Sequence, residues 1–127
     1  MNKNSLVLAY LGDSVYELYV RRYLIKKGIA KVNELQKEAT KCVSAIAQEK
    51  LLMKLLDSDF LSEDEINIIK RARIHMNNHK PKYASIITYK NATGLEALIG
   101  YLDIEGNLKR IDEIMNFILE ESYASIW

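Results

Sequence analysis

Two carboxylates stand where a core-forming chain has little reason to put them. In LVLAYLGDSVYELYV, residues 6–20, an apolar and aromatic run is broken by Gly12-Asp13, Ser14 and Glu17. In GLEALIGYLDIEG, residues 94–106, a similar run carries Glu96 and then Gly100. A buried carboxylate without a partner is costly, and a glycine inside a helix weakens it by roughly 0.5–1 kcal/mol relative to alanine. Glycine also lets two helix backbones approach closely. If Gly12 and Gly100 share a crossing, Asp13 and Glu96 meet at its rim. Two acidic groups there favour a hard divalent cation, Mg²⁺ or Mn²⁺, over zinc. The plain alternative is that Glu96 is an ordinary surface residue. Glu17, one turn after Asp13 on the same face, is open to two readings: a further ligand or outer partner of such a cation, or an i,i+4 partner of Arg21.

Other groupings offer less chemistry. His75 and His79 have helical spacing, but Asn77-Asn78 between them and Pro81 beyond argue against one helix through both, and so against zinc. Cys42, the single cysteine, excludes an internal disulfide and reads as a small buried apolar residue. There is no phosphate-cradling glycine loop and no serine in a nucleophile-elbow context.

The 127 residues are 49% hydrophobic and 28% charged, the balance of one globular domain, 1–127, with its own core. No apolar run is long enough to span a bilayer, and the first residues do not read as a signal peptide, so no membrane partner is expected. Net charge is only +1, but its distribution is uneven. Residues 57–65 hold five acids and no base, whereas 70–82 (KRARIHMNNHKPK) hold five Lys/Arg and no acid. That basic segment is either a local polyanion contact, since affinity follows local phosphate neutralisation, or a solvated loop.

These groups must be positioned by helices. The spacing predicts one long helix from Ser5 to about Lys27, with Leu6, Tyr10, Val15, Leu18 and Tyr19 recurring along it and Gly28 as its stop. Two pieces follow, Val32–Cys42 and Ser44–Leu56, with Asn33 or Ser44 as caps. Ser62 and Glu65 form a capping box, flanked by Leu61 and Ile66 as a hydrophobic staple, for a helix ending by Met76. Asn77–Pro81 reads as a loop. Another helix begins somewhere in Ser85–Thr93 and runs to Asp103 or Ile104; within it only Ser85–Tyr89 could pass for a strand. Gly106 stops it, and Asn107 caps a last helix over about Leu108–Ser122. The fold class is all-α.

The two acidic segments also resemble a known family. LAYLGDSVYELYVRRYLI, residues 8–25, is similar to the signature helix of ribonuclease III catalytic domains, and GLEALIGYLDIEG to that family's second catalytic helix. With IKRARIHMNNHKPK and TYKNATGLEALIGYL between and around them, the chain resembles the Mini-ribonuclease III branch, which has the catalytic domain without a double-stranded-RNA-binding domain. The resemblance runs from Leu6 to about Leu119.

It implies a helical, homodimeric, Mg²⁺-dependent endoribonuclease (Mn²⁺ substituting) that cuts double-stranded RNA to leave 5′-phosphate and 3′-hydroxyl ends. For this branch it further implies maturation of the 23S ribosomal RNA precursor in the bacterial cytoplasm, with a ribosomal protein or pre-ribosomal particle as a further partner. Asp13 falls on the family's catalytic, metal-binding aspartate and Glu96 on its metal-binding glutamate, with Glu17 as an outer partner. Lys70, Arg71 and Arg73, with Lys80 and Lys82, fall in the RNA-contacting basic segment. Where larger members carry further carboxylates, this chain has Ala9 and Thr93, so water and RNA phosphate would have to complete the metal's shell. The tyrosines of the first helix (Tyr10, Tyr16, Tyr19, Tyr23) read equally as a dimer face and as core. The rival to a nuclease is a catalytically inactive scaffold of the same fold that binds RNA or the ribosome.

Overall fold

The computed structural model describes residues 4–75 and 85–124. Among them are six helices and no strand: α1 (Ser5–Lys26), α2 (Val32–Val43), α3 (Ala45–Asp57), α4 (Glu63–His75), α5 (Ile86–Ile104) and α6 (Leu108–Tyr123). The stretch with strand-like composition is helical. Ser85 caps α5, its hydroxyl accepting from the Thr88 N–H at 3.1 Å. The reciprocal box at α4 is present: Ser62 N–H donates to Glu65 Oε1 at 2.8 Å, and Glu65 N–H to Ser62 Oγ at 3.1 Å. Ser44 and Asn107 cap α3 and α6 as expected. Asn33 does not cap α2, because that helix starts at Val32 and its cap position is Lys31, which makes no side-chain capping bond. Gly28 and Gly106 adopt φ of 99° and 73° at the ends of α1 and α5, a left-handed turn that releases the chain from each helix.

Helix α5 is the hub, packed against α1, α3, α4 and α6. Between Asn91 and Leu102 every residue is buried except Glu96 and Tyr101. Helix α1 meets α5 through its smallest residues. Its buried positions are Ser5, Leu8, Ala9, Gly12, Tyr16, Val20 and Leu24. Leu6, Tyr10 and Leu18, which the spacing pointed to, are instead exposed, Tyr10 by 84%. At Ala9 and Gly12 the inward stripe is built for close approach, and from Tyr16 onward it fills the core. A Cβ on Gly12 would lie 1.7 Å from the Glu96 carbonyl oxygen, and one on Gly100 would lie 1.9 Å from that of Leu8. The two backbones touch directly.

Polar anchors set the outer helices. Tyr16 OH donates to the Cys42 carbonyl and Tyr123 OH to that of Glu38, each at 2.7 Å, tying α1 and α6 to α2. Arg110 of α6 grips Glu65 through two bonds of 2.8 Å and the Phe60 carbonyl through one of 2.7 Å. Cys42 is fully buried, as expected, and burial pushes its thiol pKa up. Among the described residues no helix is long and apolar enough to cross a membrane.

Candidate active site

Because α1 and α5 touch at Gly12, the residue after that glycine emerges beside the residue across from it. The exposed Asp13 side chain stands at the rim, next to that of half-buried Glu96. The Glu96 carboxyl pKa is pushed up to about 9, first by burial, then by the hydrogen bond to Asp13 and by its charge; Glu17 adds to the rise. A half-buried carboxyl beside a second acid favours a shared counter-charge. A proton supplies it, or a cation does. Two carboxylates at an open rim suit an ion such as Mg²⁺, which is held by one or two carboxylates and completes its shell with water and phosphate. Among the described residues no cluster of three or more His, Cys, Asp or Glu side chains makes a closed metal cage. The donor set therefore fits a hard, incompletely coordinated ion and not structural zinc.

The positions where larger relatives carry extra acids contribute little. Ala9 and Thr93 are both buried, the first with no side-chain oxygen and the second with a hydroxyl only. Glu17 takes the plainer of its two readings, since Arg21 Nη2 pairs with its Oε2 at 3.0 Å, while its charge still reaches Glu96.

Helix α3 supplies what the sequence reading missed. Gln48, 2% exposed, lies with its Nε2 3.4 Å from Glu96 Oε2, and its amide works against the rise in pKa. The neighbouring Glu49 accepts from Thr88 Oγ1 at 2.9 Å and from Asn91 Nδ2 at 2.7 Å, fastening α3 to α5. A signal was available. Gln48, Leu51, Leu52 and Leu55 occupy one buried stripe of α3, so a glutamine stands at a core position of an otherwise apolar face.

A basic surface forms where α4 packs on α5. Lys70, Arg73 and Ile74 of α4 line a shallow hollow together with Lys90 of α5. The Arg73 stem lies over Gly94, its Cγ 3.5 Å from where a Cβ on that glycine would stand. Arg71 is exposed but is not among the residues lining this hollow. Lys90 was not anticipated; only the packing of α4 on α5 brings it beside Lys70 and Arg73. Lys80, Lys82 and His79 lie outside the described residues.

The tyrosines of α1 divide. Tyr16 is core, Tyr19 donates to Asp112, and Tyr23 stacks on Tyr123 with ring centroids 5.6 Å apart. Only Tyr10 stands free of the core, beside exposed Leu6 and Val7.

The six helices among the described residues are the fold class expected of the family that the two motifs resemble, and comparison with known proteins shows that family. Residues 6–107 match the ribonuclease III domain, and the chain belongs to that family; it is an endoribonuclease. Within the family it is similar to the Mini-ribonuclease 3 of Streptococcus pneumoniae, 42% identical over 93% of this chain and 92% of the relative. It is likewise similar to that of Brevibacillus brevis, 47% identical over 88% and 82% of the two. An X-ray structure of a Fusobacterium nucleatum protein superposes with a TM-score of 0.84 at 30% identity, covering 94% of each chain.

Proposed function

We propose that the chain hydrolyses double-stranded RNA in a Mg²⁺-dependent reaction at Asp13 and Glu96, with Mn²⁺ able to substitute. The observation that carries this is the backbone contact of α1 with α5 at Gly12 and Gly100, which sets Asp13 beside Glu96. When bound, the cation supplies an acidified water as nucleophile and offsets the charge that builds on phosphorus. Asp13 and Glu96 give it two oxygens, and Glu96 must release its proton as they do so, which couples ion binding to pH. Glu17 stays outside, as a charge that favours cation approach. Nothing else in the site resembles a nucleophile, so no covalent intermediate is invoked. The products are 5′-phosphate and 3′-hydroxyl ends.

Lys70, Arg73 and Lys90 neutralise backbone phosphates of the duplex, and Arg71, Lys80 and Lys82 extend the basic segment. Recognition is then by A-form shape, across the shallow minor groove with its 2′-hydroxyls. Binding falls steeply with salt. The substrate that the likeness to Mini-ribonuclease 3 favours is the 23S ribosomal RNA precursor, in the bacterial cytoplasm, with a ribosomal protein or pre-ribosomal particle as a further partner. A homodimer is supported by the apolar surface of α1 at Leu6, Val7 and Tyr10, which no other element covers among the described residues. Sedimentation at micromolar concentration, with and without Tyr10→Lys, tests it.

The inactive-scaffold reading draws on the missing acids at Ala9 and Thr93. The retained pair weighs against it, because a decayed site has no use for a half-buried Glu96 beside a second acid. Incubating the protein with a structured duplex RNA and Mg²⁺, against an EDTA control and Asp13→Asn, decides between them. Cleavage only by the unaltered chain with Mg²⁺ supports the nuclease; equal cleavage by Asp13→Asn, or none by any, rejects it.

A further inference from the structure

Gln48 is the buried side chain that neither motif accounts for. Its position in α3 is a core position, one turn before Leu51 and Leu52, yet it carries an amide that cannot turn to water at 2% exposure. Burying an amide is unfavourable unless it is hydrogen-bonded, and the partner here is Glu96. The aim of that amide is fixed from outside. Ser44 caps α3 one turn earlier, and Glu49, the next residue, is held to α5 by both Thr88 and Asn91. The stretch of α3 that presents Gln48 is thus fastened to the helix that carries Glu96.

The chemistry of the residue matters as much as its place. A lysine or arginine at this point would form a permanent ion pair with Glu96 and compete with an incoming cation. A leucine would leave the carboxylate free to rotate. An amide holds one carboxylate oxygen, leaves the other available, and adds no charge against a metal. With Ala9 and Thr93 contributing no acids, the orientation of Glu96 has few other determinants.

On the reading of Asp13 and Glu96 as a metal site, we infer that Gln48 is a positioning residue: through its side-chain N–H it holds Glu96 in the rotamer that shares a divalent cation with Asp13. The separation of 3.4 Å is at the long end for such a bond. Outer partners of this kind typically change metal affinity by 10–100-fold when removed.

The test compares the unaltered chain with Gln48→Met, which keeps the length and packing of the side chain and removes the amide. Mn²⁺ binding is read by electron paramagnetic resonance without RNA, and the Mg²⁺ dependence of cleavage is read alongside it. The expected result is a Kd for Mn²⁺ raised by about tenfold, with the Mg²⁺ half-saturation raised in parallel. The kcat at saturating Mg²⁺ should fall less than about threefold, because the chemistry at Asp13 and Glu96 is retained.

Unchanged Mn²⁺ affinity in a folded Gln48→Met overturns the assignment and leaves Gln48 as packing. An unaltered chain that binds no Mn²⁺ overturns the metal site itself and this inference with it, so the two failures are distinct. Should the variant not fold, the side-chain amide resonance of Gln48 in the unaltered protein answers instead. It is expected to shift with the same midpoint as Mg²⁺ binding; a resonance that stays put while Asp13 and Glu96 respond overturns the proposal.

Discussion

Two glutamates removed from bulk water have opposite fates in this protein. Glu96 on α5 faces Asp13 and Glu17 and finds one neutral amide, and its pKa rises to about 9. For Glu65 at the start of α4, burial also pulls upward, but Arg110 and Ser62 outweigh it, and its pKa falls below the ordinary carboxylate value. Burial acts in the same direction on both; the partners decide. At the α4–α6 junction the charge is answered within the chain, by a guanidinium that binds both oxygens and also spans to the Phe60 carbonyl and the Phe60 ring. At the α1–α5 crossing it is left unanswered. A structural carboxylate brings its own counter-ion, whereas a functional one leaves room for a counter-ion from solution.

The sharpest way to break the contrast is to remove one member of the acid pair. Asp13→Asn should lower duplex RNA cleavage by at least about 10³-fold, equivalent to about 4 kcal/mol of barrier, with an unchanged far-ultraviolet circular dichroism spectrum. Wild-type rates in a single-turnover assay would refute the site. Gly12→Ala attacks the crossing rather than the acid. The added methyl meets the Glu96 backbone, which cannot turn aside, so a loss of about 3 kcal/mol or more in a denaturant titration is expected, along with loss of activity.

At the other glutamate, Arg110→Met should cost about 3 kcal/mol of stability, because it strands a largely buried carboxylate, and should leave cleavage per folded molecule unchanged. The pH dependence separates the two residues further. Glu96 has a folded pKa above its unfolded value near 4.5, so the unfolded chain releases that proton first. The metal-free protein therefore loses stability as pH rises between 4.5 and about 9. Glu96→Gln should remove this slope and raise the melting temperature of the metal-free protein at pH 8. Glu65 has a folded pKa below its unfolded value. Its contribution is present above pH 4.5 and is lost as pH falls through the folded value, and Glu65→Gln should flatten that acid limb. Thermal melts across pH in EDTA read both.

Smallest is the effect of single cations. Lys70, Arg73 and Lys90 share one hollow, so each alanine substitution should reduce the salt slope of RNA binding by about one. Arg71→Ala should change it less. Equal effects from all four would mean that the hollow does not define the contact.

Local chemistry made much of this architecture readable in advance. The Ser62–Glu65 box, the Ser44 and Asn107 caps and the glycine stops at 28 and 106 depend on neighbours within a few residues, and all stand where the sequence placed them. The inward face of α1 was not readable in the same way. Large residues at regular spacing suggested Leu6, Tyr10 and Leu18, but the backbone contact at Gly12 turns Ala9 and Gly12 inward and rotates the buried stripe onto Leu8, Tyr16, Val20 and Leu24. The pairing of Asp13 with Glu96 was legible from the two glycines that permit it. Gln48 was marked only as a glutamine on an apolar stripe, and Lys90 not at all, because the partner of each comes from another helix laid against its own.

The central claim is that the acid pair at the α1–α5 crossing holds a divalent cation. Crystals soaked in Mn²⁺ and measured for anomalous scattering test it most directly. The account predicts a single strong peak coordinated by Asp13 and Glu96. Ordered, correctly folded crystals with no peak there, or with Mn²⁺ bound only at other acids, would contradict it.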